Sequence, residues 1–353
     1  MAGDGDDGTV GLTRWLATIG ALALYFVGSR VPLPGVDVRA LGGEAPPLLS
    51  LFGLGATPIV SGLAVMEIAR LAFPPLARWA AKGARQAQLH LRIARGLALG
   101  FAALQALGIA TGLEAANVAA GGGGWPFRLE IVVTLVGATA FVIWLAGAIN
   151  ANGVGDGLVL LFAAPVAARF PVEVARWSHF VRMEVVNAYL PALLLALTVL
   201  SVAALVAVSR RGSTSGPLDL WAPLIAWKLT AAVGALIAPL QVRVVALIEE
   251  AGVDVGPAWA SPHGTGAGVL NVVIFAGLIV VAALRRAHVD KLDRTATFWP
   301  QLAVEIVVCG GGRLLLFTPG GVSDAIGLGV ILCVAAALSV LRGWRGGRAL
   351  APG

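Results

Sequence analysis

The sequence has little charge and very few metal-binding or redox residues. Only 12% of its 353 residues are charged, against roughly 25% in ordinary soluble domains. It has two cysteines and four histidines. Cys309 and Cys333 lie in apolar runs without metal-ligand spacing, and the histidines are scattered, which argues against a disulfide framework and a zinc site. A Walker A motif is also missing, so no P-loop for ATP is expected. We therefore expect neither an enzyme nor a cofactor.

Apolar residues are abundant, since 58% of the chain is hydrophobic. A helix needs about 20 mostly apolar residues to cross a hydrocarbon core of roughly 30 Å, so the chain has room for about ten spans and short loops. The apolar runs are long and rich in Leu, Ala, Val and Gly, whereas membrane β-barrels show short alternating segments. The predicted fold class is therefore an all-α polytopic membrane protein. The predicted spans are residues 12–28, 52–70, 93–113, 129–149, 156–170, 188–208, 219–248, 268–285, 300–317 and 324–341.

The distribution of Lys and Arg predicts the orientation of these spans. With the N-terminus in the cytoplasm, 16 basic residues fall in cytoplasmic segments and six in outer segments, as the positive-inside rule favours. Both termini are then cytoplasmic. The acidic N-terminus lacks the basic region of a cleaved signal peptide, so the first apolar run is expected to be a permanent span. The basic segment 74–95, predicted as a loop, is equally typical of an inside-positive anchor and of a docking surface.

Residues 31–55 are unusual for a loop because they contain four Pro and five Gly and yet are fairly apolar. Such backbone cannot face lipid, where its N–H and C=O groups would lack partners. An ordinary outer loop is one interpretation. The apolar content favours the other, in which the segment folds back into a cavity lined by protein.

Ionisable residues within spans cost roughly 2.5–3.5 kcal/mol each on insertion scales, so they usually face the protein interior. The candidates are Glu67, Lys228, Glu305, Arg313 and Asp324, with Arg243 near the end of a span. Interhelical pairing or snorkelling is the favoured interpretation. A proton- or ion-coupled transporter is the other, although the spacing forms no metal-binding or proton-relay pattern.

Four stretches of the N-terminal half together resemble the SecY family, the channel subunits of the bacterial protein translocase. Residues 25–37 are similar to the end of its first span and the Pro-x-Pro-Gly-hydrophobic-Asp turn. Residues 54–61, Leu-Gly-Ala-Thr-Pro-Ile-Val-Ser, resemble the start of its pore-lining half-helix. Residues 82–110 are similar to its second cytoplasmic loop and third span, and residues 144–157 contain its Trp-Leu and Gly-x-Gly-x-Gly elements. Their order and spacing agree across residues 12–171.

The C-terminal half is less similar to the family. Pro223–Ile225 and Gly320–Ser323 resemble its seventh-span and tenth-span motifs. The loops at 209–217 and 285–299 are much shorter than those with which the family docks the ribosome or the SecA motor.

The resemblance implies ten helices in two pseudo-symmetric five-helix halves around a pore, residues 1–170 and 171–353, with a short cytoplasmic tail. A re-entrant plug is implied at about residues 36–50. The implied plug residues are Val36, Asp37, Val38, Leu41 and Gly42. The implied pore ring is Ala56, Val60, Phe162, Val166, Ile225 and Ile326. Cytoplasmic docking is expected at Arg78, Lys82, Arg85, Arg92, Arg285 and Arg286. A polar pair, Glu67 and Lys228, is conceivable across a lateral gate.

The function implied by this resemblance is a protein-conducting channel in the bacterial inner membrane. It would act with SecE-like and SecG-like small membrane subunits, with SecA or the ribosome as the driving partner, on polypeptides that carry signal sequences. A small-molecule or ion transporter and a non-conducting scaffold on the same fold are the alternatives.

Overall fold

The structure, a computed structural model, describes the first half of the chain almost continuously and the second half in pieces. The described ranges are 6–37, 49–80, 82–120 and 122–183, then residue 196, 199–200, 202–204, 206–207, 223–229, 265–289, 298–315 and 328–349. The main helices are α1 Asp6–Gly28, α2 Thr57–Ala72, α3 Pro74–Ala80, α4 Ala84–Ala115, α5 Trp125–Asn152, α6 Gly157–Arg182, α7 Thr265–Val289, α8 Phe298–Leu315 and α9 Leu328–Ala349. Residues 223–229 are also helical.

Three of the described helices are long and apolar enough to cross a membrane. These spans are Gly11–Gly28, Gln88–Ala115 and Trp125–Asn152. Shorter apolar stretches lie in α6, α7 and α9. The chain is therefore a multi-helix membrane protein, as predicted, whereas the count of ten spans and the two pseudo-symmetric halves stay predictions. The predicted sixth and seventh spans lie mostly outside the described residues.

Two predicted boundaries differ from the structure. The second span was expected to begin at residue 52, but residues 51–56 form turns and α2 begins only at Thr57. Gly55 has a φ of +53°, which helical backbone does not allow, and Pro58 lies in the first turn of α2, where its fixed φ and missing N–H are tolerated. The basic segment 74–95 was expected to be a loop, but α3 and the start of α4 cover most of it.

The chain divides into two compact units, residues 1–164 with 336–353, and residues 165–335. In the first unit, α4 packs against both α2 and α5, and α1 packs against α5. In the second unit, α7 packs against α8. The boundaries between the units lie within α6 and α9.

A stripe of alanines allows α2 and α4 to approach closely. Every fourth residue of α4 on one face is a fully buried alanine, namely Ala94, Ala98, Ala102, Ala106 and Ala110. Gly62 of α2 lies against this stripe. A methyl group added at Gly62 would lie 2.5 Å from the carbonyl oxygen of Ala94 and 2.6 Å from the amide nitrogen of Ala98. Small residues at such crossings are the usual means of packing helices in membranes.

The described parts of the irregular segment between α1 and α2 are anchored to protein by apolar side chains. Leu33, Val36, Leu49 and Leu54 are buried in one apolar cluster with side chains of α4 and α5. A protein-lined path for the whole of residues 31–55 stays a prediction.

We expect Gly62→Ala to destabilise the protein, because the obstructing atoms belong to the backbone of α4 and cannot rotate away. Overpacking of this kind costs about 1–3 kcal/mol. Thermal unfolding in detergent should show a lower midpoint for this variant. Gly100→Ala is the matched control, since a methyl group there meets nothing within 4 Å. Equal midpoints for the two variants would contradict the close crossing of α2 and α4.

Candidate functional site

The segment that leads into α2 is held by two isolated antiparallel bridges. Pro32 pairs with Ser50, and Val36 pairs with Ala119 in the loop between α4 and α5. The Leu33 N–H donates to the Leu49 carbonyl at 2.9 Å. The chain thus leaves α1, turns, and returns to the same place before α2 begins.

The predicted pore residues of α2 lie at its start. Ala56 is the residue before the helix, and its carbonyl accepts the Val60 N–H at 3.0 Å. Both side chains are buried, with 3% exposed in each case. The N-terminal end of α2 therefore places two small apolar side chains one turn apart.

The other predicted ring residues are distributed between the two units. Phe162 of α6 is partly buried and packs against the apolar cluster of α1, α2 and α5 in the first unit. Val166 is half-buried and Ile225 is buried, and both belong to the second unit. Ile326 lies outside the described residues. A closed ring of these six side chains stays a prediction.

The predicted plug is described only at its beginning. Val36 is buried and bridged to Ala119. The Asp37 side chain is exposed, and its N–H donates to the Val118 carbonyl at 2.9 Å. Val38, Leu41 and Gly42 lie outside the described residues.

The two predicted gate residues have local partners. Glu67 is 7% exposed, and its carboxylate accepts two hydrogen bonds from Arg70, one turn further along α2, at 2.8 and 2.6 Å. Lys228 is half-buried, with its Nζ 4.5 Å from the centre of the Trp227 ring. The Glu67–Arg70 ion pair was not predicted, although Glu and Arg three residues apart on a helix are a recognisable signal for it. Pairing of Glu67 with Lys228 stays a prediction.

Most of the predicted docking cations are accessible. Exposed side chains are found at Arg78, Lys82, Arg85, Arg92 and Arg285. Arg286 belongs to α7, and its side chain is not described. Within the described part of the chain, no group of His, Cys, Asp and Glu side chains could hold a metal ion.

An aromatic stack joins α1, the turn before α2, and α5. Tyr25 stacks on Phe52 with ring centres 5.7 Å apart, and Phe52 stacks on Phe141 at 5.9 Å. Trp144 continues the series at 5.3 Å from Phe141. This stack could not be predicted from sequence, since its rings come from three separate segments. It fixes the turn immediately before Ala56, and therefore where α2 starts.

The Gly-x-Gly-x-Gly turn at 153–157 is tied to α1 through Thr18. The Val154 N–H donates to the Thr18 hydroxyl at 2.8 Å, and that hydroxyl lies 3.2 Å from the Arg14 carbonyl, which accepts from it. The Arg14 side chain donates to the Gly153 carbonyl at 3.2 Å. All of these groups lie in the first unit.

The same turn starts α6 and contacts α9. The Asp156 carboxylate accepts the N–H groups of Leu158 and Val159 at 3.0 and 3.1 Å, which is the usual helix N-cap arrangement. The Asp156 N–H donates to the Ser339 hydroxyl at 3.2 Å. Gly155 has a φ of +93°, a conformation that glycine adopts at little cost. The turn thereby sets the direction of α6, which carries Phe162.

The SecY family model matches residues 50–215. Over this stretch the chain is similar to the SecY family. The resemblance noted from the four sequence stretches is therefore confirmed.

Curated relatives and a solved structure agree with this assignment. The protein translocase subunit SecY of Buchnera aphidicola subsp. Acyrthosiphon kondoi is 30% identical over 222 residues, covering 56% of this chain and 62% of that protein. SecY of Escherichia coli K12 is 29% identical, covering 56% and 49%. The chain thus spans less than two thirds of the length of the curated relatives it matches. A solved structure described as a protein conducting channel matches with a TM-score of 0.57 and 13% identity, covering 96% of this chain and 93% of that one. At that identity the likeness shows the shared fold alone.

We expect Thr18→Val to destabilise the 153–157 turn. Valine keeps the shape of threonine but removes the hydroxyl, so the buried Val154 N–H would lose its acceptor, at a cost of about 1–3 kcal/mol. Thermal unfolding in detergent measures the loss. Thr18→Ser retains the hydroxyl and should remain within a few tenths of a kcal/mol of the wild type. Two variants of equal stability would show that the hydrogen bond contributes nothing.

Proposed function

We propose that this chain is a protein-conducting channel of the bacterial inner membrane. It moves unfolded secretory polypeptides across the membrane and membrane segments into it. The similarity to the SecY family and the fold shared with a protein conducting channel support this proposal. One geometric observation carries it, namely the short helix α2 and the non-helical, partly buried residues described before it.

Helix α2 is too short to span the membrane alone. Its 16 residues extend about 24 Å, against a hydrocarbon core of roughly 30 Å. The chain before it is irregular from Ser29 to Ala56 in its described parts. In a membrane, such backbone is tolerated where it is buried in protein or lines a water-filled cavity. A half-helix whose N-terminus lies at depth is therefore a natural element of a pore wall.

The proposed pore closes by exclusion of water rather than by binding. Ala56, Val60 and Phe162 are apolar and offer a passing chain no hydrogen bonds. A narrow apolar ring of this kind gates by dewetting. The family resemblance implies isoleucines at most ring positions. Ala56 is smaller than isoleucine and would leave a gap in the proposed ring, whereas Phe162 is larger and would fill one. Val166, Ile225 and Ile326 complete the proposed ring.

Apolar segments of the passing chain would leave sideways into lipid. Their transfer is favourable by roughly 25 cal/mol for each Å² of apolar surface buried. The proposed lateral gate lies between the second and third spans on one side and the seventh and eighth on the other. Glu67 and Lys228 are proposed to contribute to it, and the Glu67–Arg70 ion pair indicates that Arg70 competes for the same carboxylate.

The driving force must come from a partner, since the sequence has no P-loop. SecA or a ribosome is proposed to engage the exposed cations of α3, α4 and α7, and SecE-like and SecG-like subunits are proposed to complete the channel. Both termini would then lie in the cytoplasm, with the halves 1–170 and 171–353 on the two sides of the pore.

We expect Val60→Asp to make the resting channel leak. A carboxylate in the apolar ring would hydrate it and remove the dewetted barrier. Ion flux through proteoliposomes that contain the purified protein should rise by at least about tenfold. Val60→Ile, which keeps the ring apolar, should stay at the wild-type level.

Val65→Asp is the matched charge control. Val65 belongs to the same helix but is 39% exposed, so its carboxylate should leave the flux unchanged. If Val60→Asp protein is folded and as tight as the wild type, the channel proposal is wrong and a scaffold becomes the better hypothesis. Co-purification with a single-span partner and rescue of cells depleted of their housekeeping SecY provide independent support for the channel.

A further inference from the structure

The loop between α4 and α5 is rich in glycine. Residues 121–124 are four consecutive glycines. Gly122, Gly123 and Gly124 have φ values of +91°, +73° and +97°. Glycine loses more conformational freedom on folding than any other residue. Fixing the shape of this loop is therefore costly, and a clamp between its two ends limits the conformations open to it.

Glu114 and Arg128 form that clamp. Glu114 is the next-to-last residue of α4, and Arg128 lies in the first turn of α5. One oxygen of the Glu114 carboxylate accepts the Gly124 N–H at 2.7 Å, and the other accepts two hydrogen bonds from Arg128 at 2.8 and 2.6 Å. The side chain of Glu114 is 15% exposed and that of Arg128 is 33% exposed. The Arg128 guanidinium also lies 5.5 Å from the centre of the Trp125 ring.

The clamped loop presents its backbone to the segment after α1. The Val118 carbonyl accepts the Asp37 N–H at 2.9 Å. The Ala120 N–H donates to the Gly35 carbonyl at 2.9 Å. Only a loop of fixed shape can hold these two groups in register with their partners.

The same segment is also paired with the chain that returns to α2. The Leu51 N–H donates to the Val31 carbonyl at 2.8 Å, and the Leu33 N–H donates to the Leu49 carbonyl. We call residues 31–37 and 49–51 the base. Glu114 and Arg128 thus contact the α4–α5 loop, and the loop contacts the base. The base leads directly into the start of α2, whose first turn carries Val60.

We propose that Glu114 and Arg128 are positioning residues that hold the base through the α4–α5 loop. By doing so they set how tightly the resting pore seals. The positioning itself rests on the hydrogen bonds above, whereas its effect on the seal rests on the channel function proposed for the chain. Partly exposed ion pairs between structured elements usually contribute little to stability. Here the pair closes a glycine loop, so its loss is expected to act locally rather than on the whole fold.

The test is hydrogen exchange of the full-length protein in lipid nanodiscs. Glu114→Gln and Arg128→Gln should each raise the exchange rate of the Leu33, Asp37 and Leu51 amides by about fivefold, because these amides open with the loop. Amides in the middle of α5 should not change. Arg95→Gln, which removes an exposed arginine from the other end of α4, should leave the base at its wild-type rate. The charge-exchanged double variant Glu114→Arg/Arg128→Glu should restore protection in part, because it restores the ion pair but leaves the Gly124 N–H without its acceptor.

Ion flux through proteoliposomes then separates the two proposals. The single variants should show a higher ion flux than the wild type, and the double variant a lower flux than either single variant. Unchanged exchange at the base in both single variants would overturn it. Faster exchange without leakage, while Val60→Asp leaks, would overturn the link to the seal. If Val60→Asp is also tight, the channel function fails, and the altered exchange still supports the positioning role.

Discussion

A backbone amide or carbonyl inside a membrane must find its partner within the protein, and the arrangement of this chain depends on that constraint. Helices meet it within themselves, but residues 29–56 do not form a membrane-spanning helix in their described parts. Several of their N–H and C=O groups are paired instead with the α4–α5 loop and with each other. An unsatisfied group in hydrocarbon would cost several kcal/mol. The described parts of the irregular segment therefore depend on α4, α5 and their connecting loop.

The packing of α2 on α4 makes room for that enclosure. Alanines repeat every four residues along the buried face of α4, and Gly62 lets the backbone of α2 lie directly on it. With larger residues the two helices would move apart, and the apolar cluster around Leu33 and Leu54 would open. The small side chains at this crossing therefore decide how closely α2 can pack against α4.

Much of this architecture could be predicted from the sequence because membrane insertion depends on apolar run length. The first, third and fourth spans correspond to α1, α4 and α5 within a few residues at one end or both. The start of α2 was missed because residues 52–56 are apolar, and hydropathy does not distinguish a buried turn from a helix. Pro and Gly in apolar surroundings predict a protein-lined path for residues 31–55; Leu33, Val36, Leu49 and Leu54 are buried as that path would require, and the path of the whole segment stays a prediction. The Glu114–Arg128 clamp and the Tyr25–Phe52 stack could not be predicted, because each depends on segments brought together only in the folded state.

Glycines and prolines recur in the stretches that resemble the SecY family, and the proposed mechanism explains why. A hydrolytic enzyme is recognised by nucleophiles and acids, whose chemistry demands particular functional groups. A channel that seals by dewetting needs only apolar side chains at the right depth, and several apolar residues can fill each position. What cannot vary freely is the backbone geometry that brings them there. Gly55 and Gly155 have positive φ values, and Pro58 lies in the first turn of α2. These residues set the position of Val60 and the direction of the helix that carries Phe162. In such a site the residue types that cannot be exchanged are those of the turns. The side chains of the proposed pore need only be apolar and of suitable size.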